Sequence, residues 1–152
     1  GFYKVIEYNQ EVDIMTLYLR RSMQHDIVNC MKRGDIMLDD EVFEKAGIDY
    51  ENGLERCLGD ESLYTRLLGM FKEDNAFERL TTALDIGDVT DAFECAHALK
   101  GVAANLGMNA LFETDSKLTN ALRGDGNLDK ARELYPAVKE AYNKVMEALK
   151  SI

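Results

Sequence analysis

Proline occurs once in the 152 residues, and with 46% hydrophobic and 30% charged side chains that scarcity favours a compact helical protein. No run of about 18 apolar residues exists, so no membrane-spanning helix is expected, and no secretory signal is visible. A basic surplus is missing as well. The net charge is −10, and this sign argues against nucleic acid or an anionic membrane as partner, since both demand a basic face. Residues 1–37 hold five basic and five acidic side chains, so the whole −10 falls in residues 38–152, with 13 Lys and Arg against 23 Asp and Glu. Cys30, Cys57 and Cys95 are odd in number and form no CxxC pair. They are expected to be reduced, mostly buried thiols of a cytoplasmic protein. Alternation of period two persists nowhere, which excludes a sheet. A P-loop of the form GxxxxGKS or GxxxxGKT is absent too, and with it any sign of an ATP site.

What remains is helical periodicity over a length that suits one domain with a real core. The chain opens on Gly1 and Phe2 rather than methionine, so residue 1 is not taken as a natural beginning. The stretch "GFYKVIEYN" ends at Asn9, a plausible helix cap. Val12, Met15, Leu19, Met23, Ile27 and Cys30 then recur every three or four residues and predict one helix over residues 10–33 with a single apolar stripe. Lys32, Arg33 and Gly34 close it. Met15, Met23 and Met31 drift around one side of that helix as ordinary core filling. Residues 1–37 are expected to be an extension that packs on the domain, dimerises or ends an upstream domain.

The domain itself is expected over residues 38–152. Asp39 or Asp40 can cap a short helix reaching Lys45 and Ala46. A second short helix around residues 50–58 breaks at Gly59, and Asp60 caps a longer one carrying Leu63, Leu67, Met70 and Phe71. Asp74 or Asn75 restarts the chain for Phe77, Leu80 and Leu84. Asp88 opens a helix to about Leu106, and residues 109–123 form another with Leu111, Leu118 and Leu122 inward. After "GDGN", Leu134, Val138, Ala141, Val145 and Ala148 mark the last helix, which Pro136 should kink or whose regular part it should begin. Long helices joined by short polar loops make an all-α antiparallel four-helix bundle.

The helix after Asp88 carries the chemistry. At about 100° per residue, Val89, Ala92, Ala96, Leu99, Ala103 and Leu106 make its buried stripe, and His97 lies on nearly the opposite side. The face around His97 holds Thr90, Phe93, Glu94, Lys100, Gly101 and Ala104. Gly101 costs about 0.5–1 kcal/mol against alanine inside a helix. Clearance is a compensating reason, because without a Cβ another surface can approach the imidazole. Lys100 places a positive charge one turn from the ring, where it can attract a phosphoryl oxygen. Phe93 and Ala104 add apolar contact area. The residues alone describe an exposed imidazole with a cation beside it and a cleared approach.

"HALKGVAANLG", with His97 followed by Lys100, Gly101 and Gly107, resembles the signature of the histidine phosphotransfer (HPt) domains of bacterial two-component phosphorelays. The upstream "IDYENGLERCLGDESLYTRLLGMFKED" is similar to the segment that precedes the bundle in such domains, and the likeness covers about residues 38–150. It implies that His97 carries a phosphoryl group exchanged with an aspartate of a response-regulator receiver domain, fed by a sensor histidine kinase or hybrid kinase. Lys100 would support the phosphate, and Phe93, Gly101 and Ala104 would form the docking face. No cofactor is implied for this chain, because the Mg²⁺ of the exchange belongs to the receiver. Some family members place a glutamine on the neighbouring helix near the phosphohistidine. Thr119 stands at that position here as a supporting residue, with Lys117 and Asn120 as the alternatives.

Two rivals follow from the same residues. Glu94 to His97, "ECAH", has the Glu-x-x-His spacing of di-iron bundles, but such sites need two of these motifs facing the interior. The other histidine, His25, has Ser22 three residues before it, so no metal site is expected. A helical adaptor that binds a receiver or kinase without transfer is the second alternative.

Overall fold

The structure, a computed structural model, describes residues 40–152. The helix expected over residues 10–33, with Met15, Met23, His25, Cys30 and Met31, lies outside the described residues. Within them the chain forms α1 (Asp40–Lys45), α2 (Tyr50–Arg56), α3 (Glu61–Glu73), α4 (Ala76–Ile86), α5 (Val89–Asn105), α6 (Asn109–Leu122) and α7 (Leu128–Ala148), closed by a 3-10 turn at Leu149–Ser151. No strand occurs among the described residues, and the only bridge between extended residues there joins Ile48 to Met108.

Local chemistry sets most helix starts. Asp49, Asp60, Asp88 and Asn127 each accept a hydrogen bond from the backbone N–H three residues on, at 2.9–3.0 Å. Each such cap contributes about 1 kcal/mol. At the start of α4 the cap is Asp74, whose carboxylate accepts from the N–H of Ala76 at 2.8 Å. Asn75 makes no side-chain cap.

Consecutive long helices bury their apolar stripes on one another, α4 on α5, α5 on α6 and α6 on α7, while α7 also touches α4. Three side-chain devices join α7 to α4. Phe77 stacks on Tyr142 with ring centroids 3.9 Å apart, and the hydroxyls of Thr81 and Tyr135 meet at 2.6 Å. Arg132 donates to the carbonyl of Leu84 through Nε and Nη2, at 3.0 and 2.7 Å, satisfying a carbonyl that the end of α4 would otherwise leave open. Pro136 lies inside α7, which continues on both sides of it. It therefore does not begin the regular part of the helix, as the sequence had allowed.

The segment before α3 is part of the same core, through Phe43, Ala46 and Ile48. It is tied to the α5–α6 turn. The N–H of Asp49 donates to the Gly107 carbonyl at 2.7 Å, and the buried Tyr64 hydroxyl donates to the Leu106 carbonyl at 2.8 Å. Gly107 has φ +72°, and a Cβ there would stand 2.3 Å from the carbonyl oxygen of Asp49. Only glycine can both turn the chain left-handed and let α2 approach this closely.

Candidate functional site

Helix α5 holds the site between two well-anchored ends. Asp88 caps its first turn, and Asp91 there is paired with Arg79 of α4 at 2.6 Å. On the inner side Ala92, Cys95, Ala96, Ala98, Leu99, Val102 and Ala103 are buried, a wider stripe than the three-four spacing marked. Burial pushes the Cys95 thiol up to about 11 and Cys57 likewise to about 11. Both are therefore held as unreactive thiols at neutral pH.

The face around His97 is less open than the helical wheel implied. Thr90 and Glu94 are exposed, but Phe93, His97, Lys100, Gly101 and Ala104 are all half-buried. The ring of Phe93, one turn before, lies nearly parallel to the imidazole, with centroids 5.7 Å apart and planes at 19°. Phe93 also packs against the core, so it walls the histidine rather than standing free as contact surface. The Nδ1 atom of His97 is buried and makes no hydrogen bond. Nε2 is thus the ring nitrogen left to meet a partner. Asn105 donates to the Gly101 carbonyl at 2.9 Å, which reinforces the backbone at the weak glycine position.

Opposite α5, helix α6 turns Leu111, Asp115, Leu118, Thr119 and Leu122 inward. Asp115 and Thr119 are the buried polar residues of the described core, both at 0% exposure. Sequence reading placed Leu111, Leu118 and Leu122 correctly, and it missed Asp115. Its one available signal was spacing, since Asp115 lies four residues from Leu111 and from Thr119 on the same stripe. Lys117 and Asn120, the alternatives to Thr119, are exposed instead.

Desolvation raises the Asp115 carboxyl well above its ordinary range, and the nearby positive charge of Lys100 pulls the other way. His97 Nδ1, both Asp115 oxygens and Thr119 Oγ1 are the buried side-chain polar atoms without a hydrogen bond among the described residues. All of them sit on the facing helices α5 and α6. Glu94, by contrast, is exposed, so the Glu94–His97 pair does not line the interior as a di-iron ligand set would. The phenyl ring of Phe112, on α6, is 37% exposed. It is an exposed apolar residue that the periodicity did not single out.

Neither the curated proteins nor the solved structures gave a significant match to the chain. A family model described as the Hpt domain matches residues 66–149. That segment contains His97, Lys100, Gly101, Asp115 and Thr119, and it spans more than half of the chain. The chain therefore belongs to the Hpt domain family, the histidine phosphotransfer modules of phosphorelays.

Proposed function

We propose that His97 accepts and donates a phosphoryl group, exchanging it with an aspartate of a response-regulator receiver domain. The burial of Nδ1 carries this reading. A neutral imidazole has one protonated and one lone-pair nitrogen, and a buried Nδ1 leaves Nε2 as the nucleophile facing a partner. In the forward step the Nε2 lone pair attacks the phosphorus of the receiver's aspartyl phosphate. The bond from phosphorus to the carboxyl oxygen breaks, and the carboxylate leaves with the electron pair and needs no proton. The ring takes up the positive charge, and Lys100 lies one turn away to face the phosphoryl oxygens.

Phosphoryl transfer asks mainly for positioning and charge neutralisation, and Phe93 supplies the first by stacking on the ring. Mg²⁺ comes with the receiver's carboxylates. A sensor histidine kinase or hybrid kinase stands upstream of that receiver. In this reading α4 to α7 form the antiparallel four-helix bundle, and the domain begins near residue 38. The receiver docks across Phe93, Gly101 and Ala104.

The test is label transfer from a panel of phosphorylated receivers. The wild-type chain should acquire acid-labile phosphate, and His97→Gln should acquire none while its helical circular dichroism is unchanged. Full labelling of His97→Gln would move the site elsewhere, with His25 the first residue to examine.

A further inference from the structure

The geometry points to Asp115 as a positioning residue: its buried carboxyl accepts a hydrogen bond from the Thr119 hydroxyl, which in turn accepts from His97 Nδ1–H, so that the imidazole is held with its Nε2 lone pair outward. This rests on the phosphotransfer reading of His97 and adds a residue to it.

Three observations converge. The first is helix register. The connection Leu106–Met108 is too short for anything but a reversal of α5 into α6. His97 stands eight residues before the end of α5 at Asn105, and Thr119 ten after the start of α6 at Asn109. At about 1.5 Å per residue, that is about 12 and 15 Å from the turn, so the two are level. Lys100, five residues before the end of α5, and Asp115, six after the start of α6, are level in the same way. The electrostatic effect of Lys100 on Asp115 agrees with that register.

The second observation is the Thr119 hydroxyl. Thr81, Thr82, Thr114 and Ser116 all donate to the carbonyl one turn back on their own helices, at 2.6–3.1 Å. Thr119 makes no such bond, although its oxygen is buried. Its hydroxyl is therefore free for a partner other than its own backbone.

The third is satisfaction of buried groups. A buried donor or acceptor without a partner costs about 1–3 kcal/mol, and native cores keep few of them. Here the unsatisfied atoms are complementary. Nδ1–H is a donor, a carboxyl oxygen is an acceptor, and a hydroxyl is both. Small side-chain rotations, or one bridging water, join them into a single chain from the ring to Asp115.

The proposal is tested on the full chain with Asp115→Ala and with the near-isosteric Thr119→Val. Long-range proton–nitrogen NMR reports the tautomer of His97, with its signals assigned by their loss in His97→Gln. Labelling by phosphoramidate then follows the chemistry without any receiver: Nε2 displaces ammonia from phosphorus as the old P–N bond breaks and the new one forms. The wild-type ring should be almost wholly in the Nδ1–H form. Both variants should drift toward the mixture of free imidazole, with labelling slowed roughly tenfold, the worth of one hydrogen bond.

An unchanged tautomer in the variants, or a shifted tautomer with unchanged labelling, overturns the proposal. If Asp115→Ala does not fold, Thr119→Val decides by the same two readouts. A wild-type chain that phosphoramidate fails to label refutes the phosphotransfer reading instead, while the tautomer result still decides the hydrogen-bond chain.

Discussion

Lys100 stands where two demands meet, one turn from the imidazole and close enough to Asp115 to act on its carboxyl. Lys100→Ala should slow transfer from a phosphorylated receiver by at most the worth of a charge-assisted contact, about 1.5–3 kcal/mol. Its melting temperature should hardly change, because a half-buried lysine without an ion pair among the described residues contributes little to stability. Unchanged transfer kinetics would reduce Lys100 to a solvated side chain. Asp115 makes the opposite kind of prediction. Its folded-state pKa is raised by burial above the ordinary 3.8. As pH climbs past that ordinary value the unfolded chain releases the proton while the folded chain keeps it, so stability falls until the pH passes the raised folded value. Asp115→Asn removes this loss. The variant should melt above wild type at pH 7, with the gap narrowing as pH falls toward 4. A gap independent of pH would show that burial does not hold this carboxyl neutral.

At the scale of elements, the turn between α5 and α6 carries the strictest requirement. Gly107 is left-handed, and a side chain there meets the Asp49 carbonyl, a backbone atom that cannot swing aside. Gly107→Ala adds about 1–2 kcal/mol for the left-handed backbone and about 1–3 kcal/mol for the overpacking. A melting experiment should show a loss of several kcal/mol, against only the backbone part, about 1–2 kcal/mol, for an alanine at the exposed Gly124, where φ is likewise positive but a Cβ meets nothing within 4 Å. Equal losses at the two glycines would mean that backbone strain alone, and not the approach of α2, explains Gly107. The family motif thus has two kinds of glycine. Gly107 shapes the turn, whereas Gly101 lies on the half-buried face beside the histidine.

At the scale of the whole molecule, the folded unit extends beyond the segment that the family model matches. Phe43, Ala46 and Ile48 belong to the common core, and Asp49 and Tyr64 hold the α5–α6 turn from outside residues 66–149. A chain begun at residue 38 retains all of these contacts. One begun at residue 62 keeps the whole family match but loses those three side chains and the Asp49 contact. At about 1.5–3 kcal/mol for each large apolar side chain, the loss approaches the 5–15 kcal/mol margin of an ordinary domain. It should melt far lower, and identical melting of the two shortened chains would sink this account of the boundary.

Helices, caps and the family motif that begins at His97 were legible in the sequence because their causes are local. Asp60 and Asp88 cap their own first turns, apolar residues every three or four positions make a stripe wherever the helix goes, and His97, Lys100, Gly101 and Gly107 lie within eleven consecutive residues. The tertiary structure decided what depends on a second element. An aspartate reads as a surface residue until α6 is packed into the bundle, and only that packing buries Asp115 and Thr119. The half-buried state of His97 was hidden too, since a helical wheel knows which way a side chain points but not what packs around it. The role of Gly107 was hidden for a related reason: its constraint comes from Asp49, 58 residues earlier in the chain, and sequence periodicity carries no record of a contact made across that distance.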